Sequence, residues 1–485
     1  MKFVLRYLIL WHRWLGIVAC LLFMLWFVTG LVLHFVHFPE LNAEEKYTGL
    51  VPIDIQSVKL SLYDATHALP QFDRITKARL IMSANRPMYI VTDDAHITAI
   101  YADTGKVLRT LSMDTALEIA NLHATQREID HANIAYASLE DVDQWTVSNG
   151  LDAYRPLHRI ALNNKQQTEL YVSDVTGEVV RDTNKLERGW NYVGSIIHWI
   201  YPTFLRKHWA VWNWLVWTVS FIALVAALSG IYLGLMRLRW RHEKSISPYR
   251  GMHYLHHMGG IFISAFLLTY IFSGWLSMDH GLLFSNSVVS ATQRKVLAGG
   301  EIHWDQFNTV DLSLAQGAKQ LDWVQLAGKP YVIATFHHAA QKILGQHGVA
   351  SHFAYTQFKS EYIQLLDGSS CALPTVVASN DAYASNHAST PLSSTPLSST
   401  PLLRVVCNDK ENTWFHIDSG NAQIVEVLND SKRLYRWLYT GLHTLDFPAL
   451  NQTPQLKTIL VILFTVTGFI FSLTGVILSW RRLRQ

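Results

Sequence analysis

Four apolar blocks, each long enough to cross a bilayer, constrain this chain more than any other feature. Residues 8–38, 211–236, 259–278 and 456–480 are almost free of charge. Each reaches or exceeds the ~20 apolar residues needed to cross ~30 Å of hydrocarbon. The first block is too long for the apolar core of a signal peptide and lacks a small-x-small cleavage site before Pro39, so it reads as a retained helix. Charged residues are only 16% of the chain, low for a soluble enzyme. The formal charge of +3 is too small and scattered to point to nucleic acid.

Basic residues set the expected orientation. Lys2, Arg6 and Arg13 precede or open the first block, Arg237, Arg239, Arg241, Lys244 and Arg250 fill the short link between the second and third, and Arg481, Arg482 and Arg484 close the chain. Placing all three groups in the cytoplasm puts both termini inside and exports the two long segments. The expected layout is a first transmembrane helix in 1–37, an exported segment 38–209, a second helix 210–237, a cytoplasmic loop 238–255, a third helix 256–280, a second exported segment 281–455 and a fourth helix 456–485.

Cys371 and Cys407 both fall on the exported side, where disulfides persist. They flank the repeated Ser-Ser-Thr-Pro-Leu stretch that ends at Leu402, within a flexible insertion, 372–406, whose neck a disulfide would close. Two free thiols are the alternative. Cys20 reads as a small apolar residue of the first helix.

The chain also repeats itself. His12-Arg-Trp-Leu-Gly16 matches His256-His-Met-Gly-Gly260, and Thr29-Gly30 matches Ser273-Gly274, both 244 residues on. Leu228-Ser229-Gly230-Ile231 matches Leu473-Thr474-Gly475-Val476, and His198 matches His443, both 245 residues on. Several matches at one offset imply a duplicated helix–exported segment–helix unit, its copies related by a pseudo-twofold axis along the membrane normal. The Ser/Thr-Gly pairs are expected to serve helix packing alone. In the exported segments, Ala102-Asp-Thr-Gly105, Asp174-Val-Thr-Gly177 and Asp418-Ser-Gly420 read as hairpin turns, with Asp bonding the turn backbone and Gly at positive φ. Residues 113–126 have helical spacing, so the exported parts are expected to be α+β.

Histidines are the candidate chemistry. A polar ring at a membrane edge needs a partner, and imidazole is a common axial ligand of heme iron. His12 with His256, and His198 with His443, occupy repeated positions; facing the shared axis, each pair could hold one planar tetrapyrrole from both sides. That gives one or two bis-histidine hemes, non-covalent and therefore b-type, because no Cys-x-x-Cys-His is present. His34, His257 and His280 are further candidates. Trp11, Trp14 and Trp26 could shorten the gap between two such groups, which the spacing from His12 to His34 puts at roughly 33 Å. Zinc at His253, His256 and His257 is the competing metal, without an obvious acid or thiolate to complete it. No Gly-x-Gly-x-x-Gly, P-loop, Gly-x-Ser-x-Gly or His-Glu-x-x-His is present, so the chain shows no nucleotide, flavin, hydrolase or zincin signature of its own.

Several stretches carry a family resemblance: Leu10-Trp-His-Arg-Trp-Leu-Gly16, Thr29-Gly-Leu-Val-Leu-His34, Tyr171-Val-Ser-Asp-Val-Thr-Gly-Glu-Val179, Tyr254-Leu-His-His-Met-Gly-Gly260 and Leu434-Tyr-Arg-Trp-Leu-Tyr-Thr-Gly-Leu-His-Thr-Leu-Asp-Phe-Pro448. Together they resemble the PepSY-associated transmembrane proteins, bacterial iron-regulated inner-membrane proteins. The resemblance implies two exported PepSY-like domains and heme between the membrane helices. In some members it implies reduction of ferric siderophores on the periplasmic side. The expected function is thus electron transfer across the inner membrane, from a cytoplasmic donor or a quinol in the lipid to a ferric chelate, as a possible siderophore reductase. The alternative is a PepSY protein that binds and regulates a peptidase or envelope partner without redox activity. Transport ranks behind both, since no acid lies at mid-membrane.

Overall fold

A segment that crosses hydrocarbon must satisfy its own backbone polar groups, and a helix does so within one stretch of chain. In the computed structural model the four apolar blocks are the helices Lys2–Phe35, Trp209–Met236, Gly251–Leu276 and Pro454–Leu483. All four are long and apolar enough to cross a membrane. The structure describes residues 2–70, 72–93, 96–239, 246–284, 289–337, 340–346, 348–350, 353, 371–378, 380–383 and 401–485. Most of the Ser/Thr/Pro insertion, and residues 240–245 of the link between the second and third spans, lie outside that set. The third span starts at Gly251 rather than 256, because a helix can run past the hydrocarbon without losing a backbone hydrogen bond. It ends at Leu276, which leaves His280 beyond it.

The chain divides into two units, one of residues 1–38, 187–286 and 431–485, the other of 39–186 and 287–430. In the first unit the spans close a four-membered ring. The first lies against the second and fourth, and the third also lies against the second and fourth. Their shared core includes Phe23, Phe27, Ala223, Ile263, Leu267 and Ile271. Phe27 sits where a side chain at position 468 would have to be: a Cβ on Gly468 would lie 2.6 Å from its ring.

Short helices lead into the second and fourth spans in the same way. The helix Ser195–His198 is followed by Ile200 at φ 51°, and the helix Leu442–Thr444 by Leu445 at φ 52°. A left-handed bulky apolar residue is uncommon and ends a helix abruptly. These two turns, 245 residues apart, place His198 and His443 two residues before each reversal. A π-helical turn, Arg436–Gly441, precedes the second of them.

The second unit is built on three antiparallel sheets. In chain order the strands are β1 (Lys77–Ser83), β2 (Arg86–Thr92), β3 (Ile97–Tyr101), β4 (Ala135–Glu140), β5 (Leu157–Ala161), β6 (Glu169–Ser173), β7 (Val179–Thr183) and β8 (Gln320–Leu326). They continue as β9 (Lys329–His337), β10 (Ala340–Gly345), β11 (Gly348–Ala350), β12 (Thr375–Val376), β13 (Leu402–Val406), β14 (Trp414–Asp418) and β15 (Gln423–Leu428). One sheet runs β11-β10-β9-β8-β1-β2-β3, so the two segments between the spans share a single seven-stranded sheet instead of keeping their sheets apart. It is joined where Arg79 of β1 faces Asp322 of β8. Leu80, Tyr89, Leu321 and Trp323 fill one core drawn from both segments.

The β4–β7 sheet carries the helix Met113–Gln126 in the expected place, capped by Ser112 and buried through Ala116, Ile119, Ala120 and Ala124. The β12–β15 sheet holds the Cys371–Cys407 disulfide. The three Asp-Gly turns are present, but not all are built as expected. Gly105 and Gly177 do take positive φ. Asp174 instead accepts from Leu111 N, while Ser173 Oγ holds the turn amides of Val175 and Thr176. In the third turn Ala422, at φ 56°, takes the left-handed place rather than Gly420.

Candidate functional site

The four repeated histidines fall at two levels of the helix bundle. At the end nearer the N-terminus, Nδ1 of His12 on the first span lies 3.2 Å from Oγ of Ser229 on the second. Nδ1 of His256 on the third span lies 2.9 Å from Oγ1 of Thr474 on the fourth. At the opposite end, Nδ1 of His198 lies 3.0 Å from Oγ1 of Thr29, and Nδ1 of His443 lies 3.1 Å from Oγ of Ser273. Every one of these rings is held at Nδ1 by the hydroxyl of a Ser/Thr-Gly pair. Packing alone, the role expected for those pairs, is therefore too little. Among the described residues, Nε2 of none of the four has a hydrogen-bond partner.

His198 and His443 face each other with ring centroids 6.2 Å apart and planes inclined by 60°. Gly30 and Gly274 lie against their Cε1 atoms. His12 and His256 line one cavity of about 570 Å³. Its walls include Gly230, Gly260 and Gly475, and Phe471 stacks on His256 at 4.9 Å. Arg13, Arg237 and Arg482 also line it, and no Asp or Glu side chain among the described residues does.

The further candidates are engaged otherwise. Both nitrogens of His257 are taken, Nδ1 by Ser247 Oγ at 2.8 Å and Nε2 by the carbonyl of Gly234 at 2.9 Å, so it cross-links the second and third spans and has no lone pair to offer. His34 bonds Thr458 on the fourth span, and Asn213 on the second donates to His280. Their partners are 245 residues apart, so these two histidines, unmatched by sequence offset, occupy matched places. Among the described residues no three His, Cys, Asp or Glu side chains converge on a common point, so the zinc alternative finds no site there.

Trp11 and Trp14 are exposed, as interfacial anchors are, and do not bridge the two histidine levels. Trp26 donates its indole N–H to the carbonyl of His198 and so fixes the turn that carries that ring. The rings between the levels are others. Tyr270 lies 5.9 Å from His443, Phe266 lies 4.8 Å from Tyr270, and Phe464 and Phe27 lie 4.6 and 6.0 Å from Phe266. No spacing marked these among the many aromatic residues. The hydroxyls did carry a signal, since they repeat, like the histidines they hold, at an offset of 244 or 245 residues.

A heme ligated by two imidazoles tests this arrangement. Two metal–nitrogen bonds of about 2 Å, plus half a ring on either side, put the centroids roughly 6 Å apart, which fits His198 and His443. A cavity of this size is within the range of cofactor sites, and its arginines suit a group that carries carboxylates. His12 and His256, and His198 and His443, are thus the residues that could hold it.

A family model, described as the PepSY-associated TM region, matches residues 9–482. The chain is a membrane protein that belongs to this family. No curated protein matches it.

Proposed function

We propose that this protein carries electrons across the bacterial inner membrane to a ferric chelate, such as a siderophore, on the periplasmic side. The two segments between the spans are then periplasmic and PepSY-like, the termini are cytoplasmic, and the two halves are copies of one unit. The donor is a cytoplasmic reductase or a quinol, since the sequence carries no nucleotide or flavin signature of its own. Heme b, held without covalent attachment, would supply the one-electron chemistry within the helix bundle.

The observation that carries this reading is the paired placement of four histidines, each tethered at Nδ1 and open at Nε2. His12 and His256 would hold one group near the cytoplasm, with Arg13, Arg237 and Arg482 taking its carboxylates. His198 and His443 would hold another near the periplasm. Phe27, Phe266 and Tyr270 fill the space between with polarisable rings and exclude water. The acceptor chemistry follows from ligand hardness: Fe(II) binds oxygen ligands more weakly than Fe(III), so one electron loosens the metal from its chelate.

The test is to reduce the purified, hemin-supplemented protein anaerobically and mix it with a ferric trihydroxamate. Reoxidation of the visible bands, with ferrous iron appearing in step, is the expected result. A protein that stays reduced, or that never takes up hemin, would overturn the proposal. In the second case a peptidase-regulating role becomes the reading to pursue.

A further inference from the structure

We infer that Thr29, Ser229, Ser273 and Thr474 are positioning residues that force all four histidines into the Nδ1–H tautomer and so turn an Nε2 lone pair toward the cofactor. The use of that lone pair rests on the function proposed above; the tautomer itself does not.

The argument is a count of protons. A Ser or Thr hydroxyl has one to give. Each of these gives it to a carbonyl of its own helix: Thr29 to Leu25 at 2.8 Å, Ser229 to Ala226 at 2.9 Å, Ser273 to Tyr270 at 3.2 Å and Thr474 to Phe471 at 2.6 Å. With its proton spent, the oxygen can only accept from the imidazole. Nδ1 must therefore carry hydrogen. At His12 a second contact requires the same, because the carbonyl of Ala226 lies 3.2 Å from Nδ1 and a carbonyl never donates. A neutral imidazole protonated at Nδ1 keeps its lone pair on Nε2. A fixed donor bond at the far nitrogen also orients a ligating ring and raises its basicity.

The glycine that follows each hydroxyl gives the ring room. A Cβ at Gly230 would fall 2.6 Å from Cε1 of His12, and at Gly30 and Gly274 it would fall 3.2 Å from Cε1 of His198 and His443. At Gly475 the distance to His256 is an ordinary 3.7 Å. The hydroxyl thus sets the proton and the glycine admits the ring. A Gly230→Ala change should disturb its histidine most, and Gly475→Ala least.

Two measurements on the full-length protein decide this. The first is the ¹⁵N spectrum of histidine-labelled, hemin-free protein. His198 is expected to be protonated at Nδ1 in the wild type, to lose that preference in Thr29→Val and to regain it in Thr29→Ser. Protonation of His198 at Nε2 in the wild type would overturn the inference whatever the cofactor. The second uses hemin. Thr29→Val should release it to apomyoglobin about 10-fold faster or more and shift the midpoint potential, and Thr29→Ser should restore both. Unchanged release and potential would overturn the positioning role while leaving the electron-transfer reading intact. Failure of the wild type to bind hemin would overturn that reading and with it the use of the lone pair.

Discussion

His123 and the four repeated histidines are partly or fully buried rings held in different ways, and the difference fixes what each can do. His123, on the helix Met113–Gln126, is 4% exposed, and a Cβ on Gly49 would fall 2.0 Å from its Cε1. The neighbouring Arg127 is committed to Glu45 and Asp182 at 2.8 and 2.7 Å. Burial first, and then Arg127, push the pKa of His123 down to about 3 from 6.5. Below pH 6.5 the unfolded chain takes up a proton that the folded one refuses until about pH 3. The stability this ring contributes is therefore present above 6.5 and is lost as pH falls from there, by at most about 1.4 kcal/mol per pH unit. Denaturant melts between pH 7 and 4.5 should follow that slope, and His123→Gln should flatten it; an equal slope in the variant would contradict the assignment. His257 illustrates a third arrangement. With both nitrogens bonded it stabilises the contact between two spans, and removing the ring leaves Ser247 and the Gly234 carbonyl without it, at a cost of ~1–3 kcal/mol. A His257→Ala melt unchanged from the wild type would argue against that role.

Among elements, the spans were legible because hydrocarbon demands a property that composition displays directly. The helix Met113–Gln126 was legible because its apolar face recurs at helical spacing. Span ends were less so: Gly251 to Leu255 are polar enough to read as a link, yet they continue the third helix. The turns were legible as turns but not in detail, since a neighbouring serine or alanine can do what Asp and Gly usually do. Of the site, the four histidines and their matching positions came from the repeat. The hydroxyls that hold them repeat as well, but their role was not legible, because a hydroxyl beside a glycine in a membrane helix looks the same whether it packs or accepts a hydrogen bond. The seat of Phe27 against Gly468 was equally invisible. Since the ring occupies the place of a Cβ there, Gly468→Ala should overpack the bundle and cost ~1–3 kcal/mol. Thermal unfolding in detergent would show it, and an unshifted midpoint would mean that the first span moves aside freely.

At the scale of the whole molecule, the joined sheet ties the two segments between the spans into one folding unit. No pattern in one sequence reveals a strand pairing across some 240 residues, so the pairing of β1 with β8 is not legible there. At the join, Arg79 carries a buried ion pair to Glu178, with Nη2 and Oε2 2.7 Å apart. Arg79→Met would leave that carboxylate buried without its cation, a loss of ~3–5 kcal/mol. Because the strand sits between the two segments, both should lose protease resistance together; loss confined to one would contradict a shared unit. The proposed function makes a matching demand on the membrane unit, that its two halves act in pairs. The measurement that tests this most directly is the hemochrome count and visible spectrum of four single variants, His12→Ala, His256→Ala, His198→Ala and His443→Ala, beside the wild type. The expected result is that His12→Ala and His256→Ala lose or alter the same absorbing species, while His198→Ala and His443→Ala lose or alter a different one. Four spectra indistinguishable from the wild type, or no heme in any of them, would contradict the account.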